Sequence, residues 1–125
     1  MTDRFLELGG RRVLVCAAQG SLLGQETDAN DFLSLALSTD AELLVVPVSR
    51  IDKRFFDLRS GMAGQIVQKF ATYRMQLVVL GDVSEWIQQS RAFRDFVYEA
   101  NNGSSLWFVT DEEVLQEKLA NDSIK

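Results

Sequence analysis

Short, wholly apolar runs rich in valine alternate along this chain with segments of helical periodicity, and that alternation leaves few folds open. Leu43-Leu44-Val45-Val46 and Leu77-Val78-Val79-Leu80 are the clearest runs. A contiguous run of this kind suits a strand covered on both faces. Between the two, Ala63, Ile66, Val67 and Phe70 stand at i, i+3, i+4 and i+7, one apolar stripe on a helical period, widened by Met62 and Tyr73. Strand, helix, strand is a βαβ unit, which brings the two strands together in parallel. The stretch 55–82, running from Phe55-Phe56 to Gly81-Asp82, therefore organises the chain.

The same reading extends in both directions. Arg4 to Leu8 is an edge strand, Gly9-Gly10 a hairpin turn, and Arg12 to Ala17 the second strand. Gln19 to Thr27 is a rim loop. Asp28 to Ser38 is a helix with Ala29, Phe32, Leu33, Ala36 and Leu37 on its inner face, capped by Thr27 or Asp28. Pro47 ends the third strand, since proline cannot donate to a ladder. The charged loop Val48 to Leu58 follows, pinned by Phe55 and Phe56. Ser84 to Gln89 forms a short turn of helix, and Ser90 starts a clearer one with Phe93, Phe96, Val97 and Ala100 inward. Asn102-Gly103 fits a left-handed stop. Leu106 to Val109 is the fifth strand, Thr110 to Glu113 is a capping box for the last helix, and Asn121 to Lys125 is a frayed tail. The order β-β-α-β-α-β-α-β-α predicts an α/β fold. It is a five-stranded mixed sheet with an antiparallel N-terminal edge hairpin and about four helices, in one domain over residues 1–125.

Composition narrows the chemistry. The chain has no histidine, which removes Ser-His-Asp and Cys-His catalysis and histidine-ligated zinc. Its one cysteine, Cys16, sits inside an apolar run and reads as a small buried hydrophobe. A net charge of −5 argues against general nucleic-acid binding and against attraction to anionic lipid. No signal peptide and no run of membrane length stand out, so the expectation is a cytoplasmic protein.

Ligands of open α/β sheets sit beyond the carboxyl ends of the parallel strands. The loops Ala18 to Gln25, Arg50 to Gly61 and Asp82 to Ser84 gather there. They carry Ser21, Asp57, Arg59, Ser60, Gly61, Asp82 and Ser84 as binding candidates. Ser60 is a good helix N-cap, and Gly61 and Gly64 allow close backbone approach. Free N–H groups and the helix dipole favour an anion beside Arg59. The same residues equally make a plain cap and a packing surface for the sheet. No Gly-Lys-Ser/Thr follows, so this is no P-loop. Asp57 and Asp82 form a conceivable carboxylate pair for acid/base work or a hard cation, or are solvated structural acids.

The residues Phe55-Phe56-Asp57-Leu58-Arg59-Ser60-Gly61-Met62-Ala63-Gly64, Gln68-Lys69-Phe70, Tyr73, Gly81-Asp82 and Phe93 to Asn101 resemble the bacterial domain-of-unknown-function family DUF4180 over nearly the whole chain. A looser likeness is to STAS domains, the anti-sigma-factor antagonist fold. These share the element order and carry a phosphorylatable serine at the start of the helix after the third strand. Asp57, Ser60, Gly61, Ala63 and Gly64 lie in the corresponding region, although Leu58-Arg59 departs from the STAS pattern. The resemblance implies a non-catalytic regulatory or partner-binding module, switched by phosphorylation near Ser60. The alternative is a small enzyme or ligand- or cation-binding domain using Asp57 and Asp82. Neither reading brings in a cofactor or a dedicated metal site. Partners are a protein or a small ligand, with no nucleic acid and no membrane. Self-association is also open, through Arg94, Tyr98, Glu99 and Asn101 or through Trp86 and Trp107.

Overall fold

A computed structural model describes residues 3–24 and 26–124; Gln25, in the expected rim loop, and Lys125, in the expected tail, lie outside them. The strands are β1 (Arg4–Leu8), β2 (Arg11–Val15), β3 (Leu43–Pro47), β4 (Gln76–Leu80) and β5 (Leu106–Val109). The helices are α1 (Glu26–Ser38), α2 (Met62–Thr72), α3 (Ser84–Gln89), α4 (Arg91–Asn102) and α5 (Glu112–Ile124). The strands lie in the sheet in chain order, β1-β2-β3-β4-β5. β1 runs antiparallel to β2 and the remaining pairs are parallel. Gly9 and Gly10 make the hairpin with φ of +56° and +78°, the positive pair a tight hairpin turn demands.

The strand order decides where the helices go. Each right-handed crossover steps one strand in the same direction, so successive helices stack on one face. On that face Leu14, Leu44, Val46, Leu77, Val79 and Phe108 meet Phe32, Leu33, Ile66, Phe70 and Phe93 in one apolar layer. The opposite face is left to α5, whose Leu115 and Leu119 join Val13, Val15, Leu43, Val45, Val78 and Trp107. Coverage on both faces is the reason the strands read as continuous apolar runs.

Several boundaries differ from the sequence expectation, each for a local reason. β2 starts at Arg11 and ends at Val15, and Cys16 still donates its N–H to the Val45 carbonyl at 2.9 Å. α1 begins at Glu26, so Thr27 and Asp28 lie in its first turn; the Asp28 carboxylate reaches back to accept from the Gly24 N–H at 3.0 Å. Ser84–Gln89 is a separate helix, which makes the helices five and not about four. Ser90 breaks it from α4 with extended backbone, and its hydroxyl accepts from the Phe93 N–H at 3.1 Å. Gly103 ends α4 at φ −98°, without a left-handed turn. α5 is started by Asp111, whose side chain accepts from the Val114 N–H at 2.9 Å, in place of a Thr110–Glu113 box. It continues to Ile124 where a frayed tail was expected. No described helix is long and apolar enough to cross a membrane.

Candidate functional site at the carboxyl edge

Beyond Pro47 the chain does not enter α2 directly. It winds through three short 3-10 turns, Val48–Arg50, Lys53–Phe56 and Leu58–Ser60. Each aspartate in this path starts a turn. Asp52 accepts from the Arg54 N–H at 2.9 Å, and Asp57 accepts from the Arg59 N–H at 3.1 Å. Phe55 and Phe56 point inward and are buried, as the sequence required.

Arg50 fastens this path to the loop after β2. It is 9% exposed, donates from Nε to the Ser21 carbonyl at 2.8 Å and from Nη1 to the Ala17 carbonyl at 3.0 Å, and lies over the Phe32 ring. Leu23 and Ile51 add a parallel bridge, with Leu23 N–H to Arg50 O at 2.7 Å and Asp52 N–H to Leu23 O at 3.0 Å. The Ser49 hydroxyl donates to Ala18 O at 2.7 Å. The sequence placed Arg50 in an outward polar loop. Its partners lie 29 and 33 residues away along the chain, so nothing in the local pattern marks it.

Ser60 closes the third turn. The N-cap of α2 is Gly61, in the left-handed region at φ 74°, and Ser60 stands one residue earlier than expected. Its exposed hydroxyl donates into two carbonyls, Arg54 O at 2.8 Å and Asp57 O at 2.7 Å, and accepts from the Met62 N–H at 3.2 Å. Gly64 does not pack on the sheet: nothing lies within 4 Å of where its Cβ would stand. At Gly64 the first turn of α2 therefore presents bare backbone to solvent.

Across the rim, α3 lays Trp86 on Phe56 with ring centroids 4.0 Å apart and planes 16° from parallel. This stack floors a cleft of about 530 Å³, walled by Asp57, Arg59, Lys53, Gln89 and Ser90. Of the expected site residues, the cleft brings Asp57 and Arg59 together; Ser60, Gly61, Asp82 and Ser84 are outside its lining. Trp86 and Phe56, which define it, were read from the sequence only as candidates for burial or interface.

Each carboxylate serves its own turn. Asp57 pairs with Arg59 Nε at 3.4 Å, both side chains being open to solvent. Asp82 accepts from the Ser84 N–H at 2.9 Å; that backbone bond first, and the Ser84 hydroxyl second, hold its carboxyl below the usual range. Among the described residues no three of His, Cys, Asp or Glu converge as metal ligands would. Two interface candidates are turned inward. Trp107 is buried with Nε1 donating to Gly103 O at 2.7 Å, and the Asn101 amide oxygen accepts from the Phe108 N–H at 2.7 Å. Tyr98 remains open, at 72% exposure.

Fold and cleft together define an α/β domain with a mixed sheet, an aromatic-floored cleft at the strand carboxyl ends and no histidine chemistry. The model of a family described as a domain of unknown function (DUF4180) matches residues 8–119, and the chain belongs to that family. No curated protein and no solved structure matches it.

Proposed function

We propose that this domain is a non-catalytic regulatory module that docks a protein partner at its carboxyl-edge cleft and is switched by phosphorylation of Ser60. The observation that carries the reading is the double use of the Ser60 hydroxyl. It is exposed, and its proton is shared between the Arg54 and Asp57 carbonyls that hold the third turn, the wall of the cleft. Esterifying that oxygen removes the proton and sets phosphate oxygens against two carbonyl oxygens. The group also brings about −1.5 to −2 charges. The wall carrying Asp57 and Arg59 then has to move. Lys53, Arg54 and Arg59 are the exposed cations of this path, Arg50 being buried, and the amino end of α2, with its helix dipole, favours the new anion. The element order expected from the sequence, which resembles that of STAS domains, supports the same reading by likeness.

Intact mass of the protein purified from its native cells tests the switch. A species heavier by one phosphate group is expected, absent from Ser60→Ala. If every growth condition gives only unmodified protein, the switch is wrong. A partner that co-purifies equally well with a Trp86→Ala variant would remove the cleft as the docking place.

A further inference from the structure

We propose that the opposite, amino edge of the sheet holds a second site, for a small oxyanion, in the cavity formed by Arg11, Glu42, Arg74, Gln76, Ser104 and Ser105. These residues cluster where parallel strands begin. Arg11 and Gln76 are the first residues of β2 and β4, Glu42 precedes β3, and Ser104-Ser105 precedes β5. The cavity measures about 310 Å³.

Gln76 is the anchor of the argument. It occupies the opening position of a central strand, opposite Leu43, and is only 7% exposed. Its Nε2 has no hydrogen-bond partner. A buried amide donor left unpaired within the protein is costly, and native structures rarely carry one without water or a bound group to satisfy it. Gln76 is itself among the residues that line the cavity, so a group bound there lies beside this amide.

Charge decides which group. Glu42 is already held by Arg11 Nε at 2.5 Å and by Arg12 Nη1 at 3.1 Å. Arg74 adds a third guanidinium, on backbone at φ 56°, where a non-glycine residue is uncommon. Arg12 also pairs with Asp40 at 3.4 Å, outside the cavity, and within the lining two arginines, Arg11 and Arg74, stand against the one glutamate; a positive excess remains, in a chain whose net charge is −5. That excess repels a cation and favours an acceptor-only ligand. A phosphoryl or carboxylate group meets both needs: oxygens for the Arg74 fork and an oxygen for the stranded amide. The exposed hydroxyls of Ser104 and Ser105 complete the donor set.

Titration of the full-length ¹⁵N-labelled protein tests this, with orthophosphate in one arm, acetate in another and chloride as the ionic-strength control. The side-chain amide pair of Gln76, identified by its loss in Gln76→Leu, should shift and saturate with at least one oxyanion and not with chloride. Arg74→Gly removes the guanidinium while suiting the positive φ. It should weaken binding by roughly tenfold or more, the weight of a charge-assisted hydrogen bond. Gln76→Leu, which keeps side-chain volume, should do the same. The two arms tell a phosphoryl site from a carboxylate site. Neither oxyanion shifting the Gln76 amide, chloride matching them, or Arg74→Gly binding as tightly as the native chain would each overturn the proposal. The amino edge lies away from Ser60 and Trp86, so failure here leaves the carboxyl-edge reading standing.

Discussion

Arg50 keeps a permanent charge in a nearly closed site, and the partners that hold it are the carbonyl oxygens of Ala17 and Ser21. Replacing it with methionine preserves the stem and strands both carbonyls. At 1.5–3 kcal/mol for each bond from a charged donor, less what local water recovers, Arg50→Met should cost about 3 kcal/mol. A lowered urea midpoint with faster cleavage in the loop before α1 is the expected outcome. Arg50→Lys should lie between, because an ammonium cannot fork to two oxygens. Cys16 makes a pH prediction. Burial first, and then the Asp3 charge, push its thiol from 9.0 up to about 11. A group whose folded pKa is raised stabilises the fold below its unfolded value and loses that contribution as pH climbs through the folded one. Stability attributable to Cys16 is therefore complete below pH 9.0 and fades towards about 11. The difference in urea midpoint between the native chain and Cys16→Ala, followed across that window, isolates it from tyrosine and lysine titration. Thiol reagents should reach Cys16 only on unfolding.

At the scale of the element, α2 opens in an unusual way. Gly61 takes the left-handed cap, and Gly64 sits in the first turn with open space where a Cβ would go. Nothing in the fold needs that second glycine. Gly64→Ala should accordingly raise stability by roughly 0.5–1 kcal/mol, read as a higher urea midpoint with an unchanged slope. If the bare backbone is a docking surface, the same change should weaken partner retention while the fold gains. The contrast between α2's body and its entry shows what the sequence could convey. Ala63, Ile66 and Phe70 repeat on a helical period because burial on a flat sheet forces that spacing, and all three are buried. The alternating strands and the hairpin glycines are legible for the same reason. The entry is not, because three 3-10 turns carry no period, and a cap depends on which residue takes positive φ. Thus Ser60 was read one place late, and Thr110 was read where Asp111 caps α5. The cleft's Phe56–Trp86 stack and the stranded Gln76 are tertiary juxtapositions, and no local pattern encodes them.

For the whole molecule, the sequential strand order means that every sheet pairing joins strands that are neighbours in the chain. The element that reaches further is α5. It leaves β5 and crosses the far face to reach β1. Glu112 pairs with Arg4 at 2.9 Å across 108 residues, and Lys118 donates to Asn101 O at 2.6 Å. Leu119 lies against the hairpin, where a Cβ on Gly9 would stand 3.0 Å from it. Contacts between distant parts of the chain carry the largest closure entropy and tend to form after local ones. The βαβ units from β2 to β5 can assemble stepwise, but α5 has no face to bind until several strands are aligned. Docking of α5 should then follow the rate-limiting barrier. Leu115→Ala, at a fully buried position beneath the sheet, should cost about 2–5 kcal/mol. If α5 docks late, that loss should appear almost wholly as faster unfolding, with the folding arm of the chevron unmoved. Ile66→Val, on α2 at the centre of the other layer, should slow folding instead. A Leu115→Ala chevron shifted in its folding arm would place α5 inside the nucleus and make the sheet's second face a precondition of the first.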